Sequence, residues 1–202
     1  MPTTNETLTP KQERAIAVAK DVLKSIKRYK AIRTGKAFVK MYSPKTKYKD
    51  GKYEDTEVEK IIEANKKDSK ATAKKLQPYC EVCGLGACLM SVVTLENKFK
   101  FSGLDGQYNN MIETDDMVRR LKAVFSMHQM YLIENAFERG RGYFQPSNVW
   151  NLDPHVNEKQ IEIWESSRQA AITFGKKYGA AADRLRAIMK NIIANEGVFV
   201  PA

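Results

Sequence analysis

The residues best suited to chemistry gather in one short segment, Cys80-x-x-Cys83-Gly84-Leu85-Gly86-Ala87-Cys88. Three uses of it compete. As half of a metal site, Cys80 and Cys83 would give two thiolates to a tetrahedral ion, which wants four soft or imidazole ligands. A second Cys-x-x-Cys or a His pair is missing, and the spacing of Cys88, His128 and His155 does not replace it. As a nucleophile, Cys83 stands just before a Gly-rich helix start. Free backbone N–H groups there would lower its pKa and could form an oxyanion hole. A hydrolase or transferase of this kind needs a histidine base, and the chain offers His128, on an apolar helical stripe, and His155, beside Asp153 in a loop. As core, the three thiols act as small hydrophobes, while Gly84, Gly86 and Ala87 let a neighbouring helix approach closely. We read the cluster as structural and keep the catalytic and metal readings as alternatives.

Other constellations are less specific. Arg139-Gly140-Arg141-Gly142-Tyr143-Phe144 puts two guanidinium forks and two rings on a Gly-rich turn, a combination suited to phosphates and stacked bases. The plain alternative is a helix C-terminus stopped by glycine. Glu134 and Glu138 lie one helical turn apart and could share a cation or a proton, although a solvated face explains them too. Lys24, Lys27, Arg28, Lys30, Arg33 and Lys36 form a basic run, followed by Lys40, Lys45, Lys47, Lys49 and Lys52, with Tyr29, Tyr42, Tyr48 and Tyr53 interleaved. Lysines on phosphate give affinity without reading sequence. No Walker loop, dinucleotide fingerprint, His-Glu-x-x-His or Gly-x-Ser-x-Gly element is present, so no cofactor is expected.

Charge is the strongest compositional signal. The net charge is +10, and residues 1–80 hold 20 Lys and Arg against 10 Asp and Glu, whereas residues 81–202 hold 14 of each. Such a field draws polyanions or acidic proteins to one part of the molecule. No apolar run approaches the ~18 residues a membrane helix requires, the N-terminus is polar, and three clustered cysteines are not a disulfide framework. These features predict a protein of the reducing cytoplasm with no membrane partner.

The segment Cys-x-x-Cys-Gly-Leu-Gly-Ala-Cys-Leu-Met-Ser resembles a Cys-x-x-Cys-x-x-Gly-Ala-apolar signature of small proteins encoded by tailed bacteriophages. Ile133–Glu138 and Arg184–Asn195 are similar as well, so the likeness spans about a third of the chain. The family brings no activity to transfer. What the resemblance implies is a setting: a phage accessory protein in the host cytoplasm.

The elements that must position these residues are helical. Thr9-Pro10-Lys11-Gln12 is a capping box with proline at the first helical position, and its apolar periodicity predicts a helix to about Ile32. Ala37–Tyr42 reads as a short strand or extended segment, Asp50-Gly51 as a small hairpin turn, and Thr56–Glu59 as the start of a short helix. Lys66–Lys75 reads as a basic connection, helical in its second half. About Leu85–Leu95 should be the central buried helix. One apolar face from Thr114 to Arg139 predicts a single six-turn helix, and further helices follow from Asn157 to Gly179 and from Ala181 to Ala194, with Val198–Pro201 packing back as a tail.

The expected fold is mainly α: one domain over residues 1–202, a bundle of about five to six helices with at most a small β element. Within it a basic helix and loop (8–75) precede a helical core (78–202). The expected function is non-enzymatic binding of a polyanion, nucleic acid or a nucleotide messenger of a host defence pathway, through the basic N-terminal region together with Arg139, Arg141 and Tyr143. A cysteine-dependent hydrolase or transferase is one alternative. The other is an inhibitor docking its basic face on an acidic host protein, either as a monomer or as an oligomer.

Overall fold

A computed structural model describes residues 7–35, 39–41, 48–49, 52–53, 57–97, 114–140 and 157–201, with the backbone alone for 40–41, 48–49, 52–53, 114–117 and 161. Lys36, Arg141, Tyr143 and His155 lie outside the described residues.

The fold is mainly α, with eight α-helices among the described residues. Helix α1 (Pro10–Ser25) begins at the expected capping box: the Gln12 N–H donates to the Thr9 hydroxyl at 3.3 Å, and the Gln12 side chain accepts from the Thr9 N–H at 2.9 Å. It ends about two turns sooner than its periodicity suggests. Ile26 and Tyr29 are buried as expected, but on a tight turn closed by the Arg28 N–H on the Ser25 carbonyl. The backbone of Ala31–Ile32 is claimed instead by a strand, β1, so tertiary pairing overrides the helical pattern.

Three more short strands follow, β2 (Val39–Met41) and the hairpin pair β3 (Tyr48–Lys49) and β4 (Lys52–Tyr53), which bracket Asp50-Gly51 as expected. Then come α2 (Glu57–Ala64) and α3 (Ser69–Leu76), the latter capped by Asp68. Strand β5 (Cys80–Val82) is the middle of a three-stranded sheet ordered β1-β5-β2, parallel to β1 (Ala31 opposite Glu81) and antiparallel to β2 (Met41 opposite Cys80).

Helix α4 (Gly84–Glu96) is the central helix, buried on every side from Gly84 to Thr94. A helix apolar all round must be enclosed, and α1, α3, α5 (Thr114–Lys122) and α6 (Met127–Glu138) enclose it. The long helix expected over 114–139 is in fact two. Ser126 caps α6 by accepting from the Gln129 N–H at 3.1 Å, and a turn over Ala123–Phe125 breaks the axis. That break, together with α3, raises the helix number above the five or six expected.

Helix α7 (Glu158–Lys176) lies along α6, and α8 (Ala181–Ala194) packs on α1 and α6. The α6–α7 crossing is tight because Gly175 meets Ala136: a Cβ on Gly175 would fall 1.9 Å from the Ala136 carbonyl oxygen. One hydrophobic core runs from Ala15 on α1 to Phe199 on the tail. The basic N-terminal helix is therefore part of the core, with Ala15, Val18, Ala19 and Val22 buried. No helix among the described residues is long and apolar enough to cross a membrane.

Candidate functional site

The turn from β5 into α4 carries Cys83 as the N-cap of α4, its sulfur accepting from the Gly86 N–H at 3.4 Å. This is the placement expected of an activated cysteine, yet the environment opposes activation. Cys83 is buried at 3% exposure, and desolvation raises its thiol pKa well above the ordinary value. The backbone N–H of Gly86 works the other way, but the Glu134 and Glu138 carboxylates add to the rise. Burial thus outweighs what the helix start alone would give. Cys80 and Cys88 are equally buried, and burial pushes both thiols up to about 12. None of the three cysteines is in a disulfide.

The one histidine among the described residues is engaged elsewhere. His128 stacks on Trp164 of α7, rings 5.5 Å apart and 10° from parallel, and burial lowers its pKa. Among the described residues no group of three or more His, Cys, Asp or Glu is placed to hold a metal. The catalytic reading of Cys83 with His128 and the Cys80–Cys83 metal reading accordingly lose their geometric support. Gly84 has a packing reason: a Cβ there would come within 2.9 Å of the Phe137 ring on α6.

Glu134 and Glu138 are not on a solvated face. Both are buried, at 4% and 5% exposure. One Glu138 oxygen, Oε2, accepts from the Gly35 N–H at 3.0 Å, which ties the segment after β1 to the end of α6. The other, Oε1, has no hydrogen-bond partner among the described residues. Desolvation raises the Glu138 carboxyl to about 7, against the Gly35 bond and the nearby Arg184 guanidinium, which both favour the charged form.

Arg139 is not an open phosphate fork. It is the left-handed cap of α6, and its Nη2 donates to the carbonyls of Tyr178 and Gly179, each at 2.7 Å. The buried Arg184 donates to the same two carbonyls at 3.1 and 2.9 Å and to the Phe137 carbonyl at 2.8 Å, its guanidinium lying over the Phe137 ring. These two arginines satisfy carbonyls beyond the C-terminal end of α7 and join it to α6.

The basic run of the N-terminal region is exposed where α1 ends. Lys24, Lys27, Arg28 and Lys30 all face solvent. Arg33 is exposed too, although its guanidinium pairs with Glu81 at 3.4 Å. Tyr29 is buried within this run at 7% exposure, so its ring is not offered to a base.

The Lys30 N–H donates to the Gln77 carbonyl at 3.3 Å, just past the C-terminal end of α3. That bond sets Lys30, on the turn after α1, beside the C-terminal end of α3, whose last turn carries Lys74 and Lys75; Lys70 lies in the first turn of α3, and all three lysines are exposed. In the sequence these three read as part of a basic connection, helical in its second half. The available signal is Lys74-Lys75 at a last helical turn, where cations suit the dipole. Among the described residues, Lys24, Lys27, Arg28, Lys70 and Lys74 make no ion pair, whereas Lys66 is paired with Glu63 and Lys75 bonds the Asn65 side chain. These five cations give this part of the molecule a positive surface without ion pairs among the described residues.

No protein family, curated protein or solved structure matches the chain.

Proposed function

We propose that this protein binds a polyanion, a nucleic acid or a nucleotide, on the edge where α1 and α3 end, and that it does so without catalysis. The observation that carries the reading is the Lys30–Gln77 backbone bond, which joins the basic turn after α1 to the C-terminal end of α3, where Lys74 and Lys75 lie in the last turn. Lysine ammonium groups on rigid helix ends act as point charges for phosphate and do not read bases. The buried Tyr29 and the engaged Arg139 support the same choice, since neither is free to stack on or fork around a ligand. The resemblance to tailed-phage proteins suggests the setting, an accessory protein in an infected host whose target is nucleic acid or a defence nucleotide.

The test is fluorescence anisotropy with labelled single-stranded DNA, RNA, duplex DNA and a cyclic dinucleotide, from about 50 mM to 200 mM salt, a range over which phosphate binding weakens by orders of magnitude. Binding that falls steeply with salt supports the proposal. Absence of binding to all four at the lowest salt overturns it, and an acidic protein then becomes the better partner for this surface.

A further inference from the structure

The Arg33 N–H donates to the Val82 carbonyl at 3.0 Å, which extends the β1–β5 pairing by one residue. Two residues on, the chain meets α6, where the Gly35 N–H donates to Glu138 Oε2 at 3.0 Å. Gly35 holds φ +147°, a conformation that residues with side chains rarely adopt, yet an added Cβ there would meet nothing within 4 Å. The glycine thus answers to the direction of the backbone, not to crowding. Arg33, Thr34 and Gly35 are all exposed. Lifting them from α6 undoes little apolar burial, which is the condition for a local opening at lower cost than unfolding the core.

The acceptor is poorly suited to carry charge while the segment lies on it. Glu138 is the last residue of α6, the end of a helix at which the dipole disfavours an anion. It is buried, and its Oε1 has no hydrogen-bond partner among the described residues. An ionised carboxylate offers about four acceptor positions, and the Gly35 bond fills one of them. Arg184 of α8 faces the carboxyl and favours its ionised form, with the Arg139 guanidinium in turn facing Arg184. The Cys83 thiol of α4 faces both Glu138 and Glu134. Burial outweighs Arg184 and the Gly35 bond, so the carboxyl is raised to about 7.

We infer that Glu138 is a proton-controlled latch on the Arg33–Gly35 segment: the neutral carboxyl holds the segment against α6, and loss of its proton to solvent releases the segment into water. The closed state keeps the proton more tightly than the open one, in which the hydrated carboxyl returns towards its ordinary value near 4.5. Opening is therefore rarest below about pH 4.5, grows as pH rises towards about 7 and levels off above it. Arg33 belongs to the basic run, so the latch also sets whether that cation stays fixed at the end of the polyanion surface. That consequence rests on the polyanion reading, whereas the latch itself does not.

The experiment is hydrogen exchange of the full-length chain followed by NMR across a pH series from 5 to 8, each rate divided by the intrinsic rate at that pH. It contains no polyanion, so its failure leaves the polyanion reading untouched. Protection of the Gly35 amide should fall at least about tenfold between pH 5 and pH 8, and throughout it should lie below that of Leu89 in the buried α4. Glu138→Gln keeps an acceptor for Gly35 without the charge and should show no such fall. Gly35 protection that is constant with pH in the unaltered chain, or equal to that of Leu89 throughout, overturns the inference. A fall as large in a folded Glu138→Gln chain overturns it too. Should that variant fail to fold, the carboxyl carbon resonance of Glu138 in the unaltered chain decides. Protection that levels off at the midpoint of that resonance supports the latch, and levelling off elsewhere overturns it.

Discussion

Glu138 is the residue whose environment departs furthest from its sequence context. Four residues after Glu134 on an amphipathic helix, it reads as half of a solvated acidic pair. Nothing in the local pattern reveals that Gly35, a hundred positions away, donates to it at 3.0 Å and that its other oxygen is unpartnered among the described residues. Its carboxyl is raised to about 7, from an ordinary value near 4.5 that the unfolded chain retains. The folded state therefore holds this proton more tightly than the unfolded state. Its contribution to stability is fully present below about pH 4.5 and is lost as pH rises through about 7. The difference is on the order of 3 kcal/mol. Glu138→Gln keeps an acceptor for the Gly35 N–H without the charge. Urea unfolding should find it close to the unaltered chain at pH 5 and more stable by a few kcal/mol at pH 8; equal stability at both pH values would show that Glu138 is not desolvated. The three cysteines give a second prediction. Their burial is what their composition suggested, and with thiols raised to about 12 or above, native chain should react with a disulfide reagent at pH 8 at least about a hundredfold more slowly than free cysteine. Unfolding should release all three. A fast-reacting Cys83 in the folded chain would revive the catalytic reading.

At the level of elements, what could be read from the chain was local and what escaped was tertiary. The capping box at Thr9, the strongly apolar Gly84–Glu96 helix and the Ala181–Ala194 helix follow from residues within a few positions of one another, and the structure places them as expected. The end of α1 and the break before α6 did not follow. In the first case β5, fifty residues on, takes the backbone of Ala31–Ile32. In the second the apolar face stays in phase across the break: Leu121, Phe125 and Leu132 are all buried, so periodicity alone sees one helix. Ser126 was the available mark, a good N-cap inside a helical pattern. Gly175 is a similar case, since an isolated glycine in a helix announces close packing without naming the partner. Its partner is the Ala136 carbonyl, and the 1.9 Å approach of an added methyl group cannot be relieved by rotating a side chain. Gly175→Ala should force α6 and α7 apart and cost about 3 kcal/mol, at the upper end of overpacking penalties. Gly179→Ala, where a Cβ would meet nothing within 4 Å, is the matched control and should change little. Equal urea midpoints for the two variants would mean that the helices accommodate the methyl group by sliding.

For the whole molecule, the sequence located the positive charge in the first eighty residues, and the apolar face of the first helix ties that charge to the core. The basic segment is not an arm laid beside a helical body, because α1 contributes Ala15, Val18, Ala19 and Val22 to the same core as α4 and α8. Deleting it would remove the fold along with the charge, so loss of binding on deletion would carry no information about the ligand. Charge reversal separates the two. Lys24, Lys27 and Arg28 are exposed and make no ion pair among the described residues, so replacing all three by Glu should move the melting temperature little. Polyanion affinity should fall, and its logarithmic salt slope should flatten by about 0.9 for each phosphate no longer neutralised on duplex DNA, or about 0.7 on a single strand. The necessary comparison is a chain with the same change in net charge at another place: Lys159, Lys176 and Lys190, also exposed, lie on α7 and α8. If binding depends on the α1–α3 edge, reversal there should weaken it much more than reversal on α7 and α8. Equal losses would mean that the ligand responds to net charge alone, and the juxtaposition made by the Lys30–Gln77 bond would then have no part in recognition.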